Sequence, residues 1–331
     1  LCGRQMGPKT GDPRSFTSID DILNAFRSQL EFATRHGAIA LNTEALVHAK
    51  IMPVPFLSST LQGCIEGGTD MTAGGTNYYW SSLIAIAGMS NVGDSLAAMG
   101  KLVFEEKKIS MEELLDALHS NFEGHEPLRQ MLINKAPKFG NDIDYVDGLT
   151  VNAVDMAYEE SQKYRDPRGG QLKSSIWPAY LTVTAHVQFG ESVAALPDGR
   201  LATTPLNDGI SPTQGRDLSG PTAAMNSVAK LHQWQSTGGM IFNMKFSPAA
   251  LSSNEHLQRL TDLVKTYFEK GGGQVQFNVT SSKTLKKAQQ RPDQHKNLMV
   301  RVVGYAALFV ELNTVVQDDL IKRTQYMDCG S

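Results

Sequence analysis

The stretch that most constrains this chain lies near its end. Leu298-Met299-Val300-Arg301-Val302-Val303 is a short apolar run that meets a single glycine, Gly304, and leaves through Tyr305-Ala306-Ala307-Leu308-Phe309. A run rich in β-branched residues reads as a strand. A glycine at its end supplies positive φ or close backbone approach without steric cost. Taken alone, that glycine is most simply a turn. Gln317-Asp318-Asp319-Leu320-Ile321-Lys322-Arg323-Thr324 follows, and the pattern reads as strand, glycine, apolar turn and helix. The apolar flanks predict that Gly304 is buried.

The rest of the chain sets bounds on what this element can belong to. With 331 residues, 41% hydrophobic and 20% charged, it can bury a large core as one big domain or two. A net charge of −3 leaves no electrostatic footprint for nucleic acid or an anionic membrane. Apolar runs such as Leu83 to Ala87 are far too short to span a bilayer, and no secretory signal opens the chain. Cys2, Cys64 and Cys329 form no C-x-x-C or Cys/His cluster, which argues against a disulfide framework or structural zinc and fits a reducing cytoplasm. Because the sequence starts at Leu1 in the middle of a motif, it is expected to be a fragment of a longer protein.

Helices and strands alternate along it. Ser18 can cap a helix with an apolar face of Ile19, Ile22, Leu23, Phe26, Leu30 and Ala33, closed by Pro53 and Pro55. A second helix is expected over Asn91 to Lys107, buried through Val92, Leu96, Met99 and Val103. Ser110-Met111-Glu112-Glu113 is a capping box for a third. Further helices fit His125 to Lys135 and Asp142 to Gln162, and Ser253 opens one that ends at Gly271. Tyr180 to Phe189 alternates apolar residues with Tyr180, Thr182, Thr184, His186 and Gln188, which predicts a strand with one polar face. Gly239 to Phe246 and Gln274 to Thr280 alternate as well. The Met240, Phe242, Met244 and Phe246 stripe reads as core.

Several blocks together resemble one family. V-R-V-x-G-Y-x-x-x-F-x-x-L with Q-D-x-x-I-x-R-T after it resembles the C-terminal loop of the glycyl radical enzymes, the pyruvate formate-lyase-like family. One departure is visible: the family usually carries a small residue before the glycine, and here it is Val303. Ala195-Leu196-Pro197-Asp198-Gly199-Arg200, Pro205-Leu206-Asn207-Asp208-Gly209-Ile210-Ser211-Pro212 and Gly220-Pro221-Thr222-Ala223 resemble further family blocks in family order. The chemistry gives a reason for the residue type, since a Cα radical is stabilised when planar and conjugated with both flanking amides, and a Cβ would crowd that plane.

The resemblance covers essentially the whole chain and looks closest to the glycerol/propanediol dehydratase and choline trimethylamine-lyase branch. It implies an α/β fold, the C-terminal half of a large α/β barrel with the radical loop inserted at its centre. It also implies two regions, a barrel part over residues 1–203 and a glycine radical domain over 204–331. Gly304 is the implied radical site. Tyr180 and Thr182 are implied to border a substrate cavity. The implied activity is cleavage of a C–O, C–N or C–C bond in a small polar substrate, by a dehydratase or lyase working through a cysteine thiyl radical. A radical-carrying subunit that docks on a partner, a fumarate-adding synthase and a formate acetyltransferase are the alternatives. No cofactor is expected to stay bound, because a separate activating enzyme using S-adenosylmethionine and an iron–sulfur cluster installs the radical. A homodimer is implied for the full-length protein. Gly63-Cys64-Ile65-Glu66 resembles the family's thiyl loop, but its continuation Gly67-Gly68-Thr69-Asp70-Met71-Thr72-Ala73-Gly74-Gly75 resembles a later motif. Cys64 is therefore read as structural, with the thiyl cysteine expected upstream of Leu1.

Overall fold

Polar side chains fix where several helices of this chain begin. The computed structural model describes residues 5–77, 82–168 and 176–327. Within them run the helices α1 Ile19–Ile51, α2 Pro55–Ser58, α3 Cys64–Gly67, α4 Met89–Ala98, α5 Met111–His119 and α6 Glu126–Lys135. They continue as α7 Asp144–Ser161, α8 Ala185–Glu191, α9 Pro221–Ala229, α10 Asn254–Glu269, α11 Ser282–Gln290 and α12 Thr314–Lys322. The Asp21 carboxylate takes the Thr17 and Ser18 amides at the start of α1. The Ser110 and Glu113 pair closes the expected capping box on α5. Gly271, at φ +101°, ends the turn after α10, where its amide bonds Phe268 O.

The strands are short and mostly parallel: β1 Leu83–Ala85, β2 Trp177–Ala179, β3 Asn243–Phe246, β4 Gln276–Asn278, β5 Met299–Arg301, β6 Ala306–Leu308 and β7 Gln325–Tyr326. β1 lies parallel to β2 with Leu83 opposite Trp177. A bridge from Tyr180 to Met240 carries the ladder to the segment entering β3. β3 then pairs in parallel with β4 and with β7. Helices connect these strands, as parallel pairing requires, so the chain is α/β. β3 is buried at all four positions, the expected state of a parallel strand covered on both faces.

One core joins the early and late parts of the chain. Phe139 and Val154 share a cluster with Met225, Met244, Phe246 and Tyr267. A second cluster lies among Leu102, Leu114 and Leu132, and a third packs β5 and Phe309 against Leu285, Val316 and Leu320. The Met240, Phe242, Met244 and Phe246 stripe is core, as its pattern indicated.

Three expectations need correction. Tyr180 to Phe189 is not a strand: β2 stops at Ala179, Val183 and Thr184 turn the chain at φ +43° and +76°, and α8 begins at Ala185. The presumed apolar face is not buried there, since Val183 and Phe189 are about half exposed, while His186 and Val187 are buried. The helix over Asn91 to Lys107 is α4 followed by a π-helical turn at Met99–Glu105, and burial extends nearly all round α4 instead of along one stripe. The start of α1 packs only in part: Ile22 and Phe26 lie against the clusters, but its buried residues are Thr34, Ala38 and Ala45.

The start of α4 is capped from a distance. Gly88 precedes it at φ +89° and has no side chain to offer. The fully buried Asn207 instead accepts the Ser90 and Asn91 amides at 3.1 and 3.4 Å and donates to Gly209 O and Ser211 O. Its own amide bonds Asn91 Oδ1 at 2.8 Å. Asn207→Ala removes the side-chain partner of two amides and two carbonyls and is expected to cost about 2–3 kcal/mol. Hydrogen exchange should localise the loss to the first turn of α4 and the 206–211 loop; protection unchanged there would refute the cap.

Candidate functional site

The β5–β6 hairpin presents Gly304 at its tip. The strands pair antiparallel with Met299 opposite Leu308, and the Val302 amide bonds Tyr305 O at 2.8 Å across the turn. Gly304 sits at φ +80°, the left-handed region that L side chains disfavour, and an added Cβ would lie 2.8 Å from Ile241 Cδ1. The positive φ thus favours glycine, while the contact is with the movable end of the Ile241 side chain. Val302 and Val303 are fully buried, but Gly304 itself is exposed. Within this chain the apolar flanks anchor the hairpin from one side, and among the described residues nothing covers the glycine's outer side.

Two side chains hold the strand that leads to the glycine. Asn278, at the end of β4, donates to Arg301 O at 2.7 Å and accepts the Arg301 amide at 2.8 Å, continuing the ladder with a side-chain amide. Arg323, just past α12, donates from Nη1 to Val302 O at 2.8 Å. Its Nε and Nη2 meet Asp319 Oδ2 at 3.2 and 3.0 Å, and Nη2 lies 3.5 Å from Asp208 Oδ2. Asp319 also accepts from Gln214 Nε2 at 2.6 Å and from His186 Nε2 at 3.3 Å. An imidazole that donates from Nε2 can accept at Nδ1, where the Thr182 hydroxyl stands at 3.1 Å. A buried chain of polar contacts therefore runs from Thr182 through His186, Asp319 and Arg323 to the carbonyl two residues before Gly304.

The electrostatics of this chain are self-consistent. Burial alone would raise the Asp319 carboxyl, but the Arg323 charge and the His186 contact outweigh it and bring it down to about 2. Burial works against the Arg323 charge too, and Asp208 and Asp319 overcome it, so the guanidinium is held above its ordinary value. Beside it, burial and then the Arg323 charge pull Lys245 down to about 8 while its ammonium caps the Leu320 and Ile321 carbonyls at the end of α12. Asp217 is raised by burial to about 6, and the Thr324 and Tyr326 hydroxyls donate to it.

The other sequence candidates fall at different distances from this hairpin. Thr182 enters the polar chain through His186. Tyr180 is fully buried in the main core, its hydroxyl without a partner among the described residues, and burial pushes its pKa up. Its carbonyl accepts the amide of Ile241, whose side chain lies next to Gly304. Cys64 is buried in α3, beside a shallow cleft that includes Ser58 and Asp70, and no contact joins it to the hairpin. Among the described residues no His, Cys, Asp and Glu cluster could hold a metal ion. Sequence reading missed His186, Gln214, Asn278 and the roles of Asp319 and Arg323. The i,i+4 spacing of the last two was a readable signal; the others have no local one.

Known proteins resemble this chain in sequence and fold. The family described as "Pyruvate formate lyase-like" matches residues 1–190, and "Glycine radical" matches 206–310. The trans-4-hydroxy-L-proline dehydratase of Clostridioides difficile is 38% identical over 97% of this chain and 40% of its own length. The B12-independent glycerol dehydratase of Clostridium butyricum, solved with glycerol bound, superimposes with a TM-score of 0.93 at 40% identity, over 99% of this chain and 41% of that one. A glycyl radical enzyme from Archaeoglobus fulgidus gives 0.89 at 33% identity, over 99% and 41%. The chain spans about 40% of the length of these relatives. A glycine-tipped hairpin inside the matched glycine-radical region, on a fold shared along almost the entire chain, makes this polypeptide a member of the pyruvate formate lyase-like family of glycyl radical enzymes.

Proposed function

We propose that Gly304 carries a stable backbone radical and that the whole protein uses it to cleave a C–O, C–N or C–C bond of a small polar substrate, as a dehydratase or lyase. The carrying observation is the hairpin tip: Gly304 lies in the glycine-radical region at a positive φ, with no Cβ to obstruct a planar Cα. The activities of the relatives, dehydration and sulfite elimination among them, support the reaction class. A radical-SAM activating enzyme would remove one hydrogen atom from the Gly304 Cα. The glycyl centre then regains a hydrogen atom from a cysteine thiol, leaving a thiyl radical that takes one from the substrate. After the leaving group departs, the product radical takes that hydrogen back from the thiol. Cys64 is not given this role, being buried in α3 without contact to the hairpin. A cytoplasmic homodimer is the assembly we infer for the whole protein. No helix among the described residues is long and apolar enough to cross a membrane.

The chain's own contribution is positioning. Arg323 and Asn278 fix the backbone on the strand side of Gly304, and the packed Val302 and Val303 keep that side dry. Tyr180 and Thr182 are proposed to border the substrate cavity, Thr182 with its hydroxyl oriented by His186.

Anaerobic electron paramagnetic resonance of the whole protein, after incubation with its activating enzyme, tests the radical assignment. The expected signal is an organic doublet split by the remaining Cα hydrogen, collapsing to a singlet when glycine is deuterated at Cα and absent in Gly304→Ala. A doublet that survives Gly304→Ala would overturn the assignment. The alanine also carries a backbone cost of about 1–2 kcal/mol at this φ, so the deuterium result guards against a folding artefact.

Arg323→Lys tests the positioning. A lysine keeps the charge for Asp319 but lacks the fork that also reaches Val302 O. Exchange of the hydrogen-bonded Val302 and Phe309 amides should quicken about tenfold, and the radical should decay sooner, with the far-ultraviolet spectrum unchanged. Parent-like exchange would show that Arg323 does not hold the hairpin.

A further inference from the structure

Outside the Gly304 hairpin, the feature that asks for a partner is a cavity of about 570 Å³ between the end of α6 and the start of α7. That volume falls in the range of small-molecule sites, about 300–1,000 Å³. Lys138 and Arg216 are its least exposed charges, Lys135 is an exposed one, and no carboxylate lines it among the described residues.

Arg216 is the telling group. Its guanidinium is half-buried and has no hydrogen-bond acceptor and no ion pair among the described residues. The other well-buried arginines place their donors on acceptors, Arg200 on the Ala194 and Gly190 carbonyls and Arg323 on Asp319 and Val302. Five N–H donors with no acceptor, partly withdrawn from water, are out of keeping with the rest of the chain. Lys138 is similar: Leu132 O and Ala136 O take two of its ammonium hydrogens at 2.7 and 3.4 Å, which leaves one. Burial lowers both pKa values; the Asp94 and Asp198 charges oppose it at both groups without hydrogen bonding to either, and the Arg216 charge adds to the lowering at Lys138.

The two cations are held in place by one side chain. Asn141 Nδ2 donates to Lys138 O and Arg216 O at 3.0 and 2.9 Å, and its Oδ1 accepts the Leu218 and Ser219 amides at 2.8 and 2.9 Å. The site is thus preorganised at the backbone. The neighbouring acids already have partners. Asp142 and Asp144 are on Lys230, and Glu105 and Glu106 are on Lys101. Behind the cavity, Asp94 takes the Phe139 amide and the Thr213 hydroxyl, while Asp198 takes Asn91 Nδ2 and the Arg200 amide.

We propose that this cavity binds a small-molecule oxyanion, a phosphate or carboxylate group seated in the Arg216 fork with Lys138 as its second contact. A guanidinium fork matches either group with two parallel hydrogen bonds. The proposal does not depend on the radical chemistry of Gly304.

Calorimetric titration of the whole protein with inorganic phosphate, at constant ionic strength set with chloride, tests it; acetate is then run as a competitor. Saturable phosphate binding is expected, displaced by acetate and weakened about tenfold or more in Arg216→Gln. Lys296→Gln, on a remote exposed lysine, should bind like the parent, and so should Gly304→Ala. Absence of saturable binding by the parent, or equal affinity in Arg216→Gln, would overturn the site. If Arg216→Gln does not fold, the exposed Lys135→Gln replaces it, with an expected loss of about twofold, and unchanged affinity there overturns the site as well.

Discussion

The geometry around Gly304 depends on one guanidinium. Arg323 touches three parts of the chain that are far apart in sequence: Asp208 in the loop before α9, Asp319 on its own helix and the Val302 carbonyl of the hairpin. Around it, Gln214 and His186 donate to Asp319, and Asn243 donates to Asp208. Taking such a pair out of water is expensive, and its attraction offsets that only when nearly every remaining lone pair and proton has a partner. Here the partners are present. The downward displacement of Asp319 and the upward displacement of Arg323 are two views of that same satisfaction. Removing the cation alone would leave two buried carboxylates uncompensated, a loss of about 3–5 kcal/mol.

The cluster also explains why β3 can be buried on both faces while carrying Asn243 and Lys245. In a parallel strand covered by helices, polar side chains must find acceptors inside the protein. Asn243 reaches Asp208, and Lys245 reaches the last carbonyls of α12. Lys245 thereby satisfies the C-terminus of the helix that supplies Asp319 and leads into Arg323. The core strand, the helix and the hairpin are held by one continuous set of contacts.

How much of this was legible in the sequence depended on range. Local chemistry read well: the Ser110 and Glu113 box, Pro221 in the first turn of α9 and Gly271 after α10 are decided within four residues. The hairpin glycine read alone as a turn, and it stood out only through the resemblance of its flanks to the family's C-terminal loop. Tyr180 to Phe189 misled for a definable reason. Its period of two is real in the sequence, yet the Thr182 carbonyl takes the Ala185 amide at 2.6 Å and the chain turns before a strand can form. What selects the turn is distant, namely His186 meeting Asp319 and Val187 packing against the hairpin cluster. Periodicity reports which faces differ, and tertiary contacts decide which face goes inside. The Asn207 cap and the orphaned Arg216 lie beyond any local pattern, since each is defined by partners present or missing far along the chain.

The backbone leading to Gly304 is held firmly on its strand side. On the strand side, Val302 and Val303 are buried, Asn278 continues the ladder and Arg323 grips a carbonyl. On the other side the glycine is exposed within this chain. Rigidity on one side keeps the peptide planes flanking the Cα in a fixed relation, which conjugation across that carbon requires. A side chain would strain the backbone at φ +80°. Local geometry thus favours glycine at this position, and the radical proposed for Gly304 would require the same residue type.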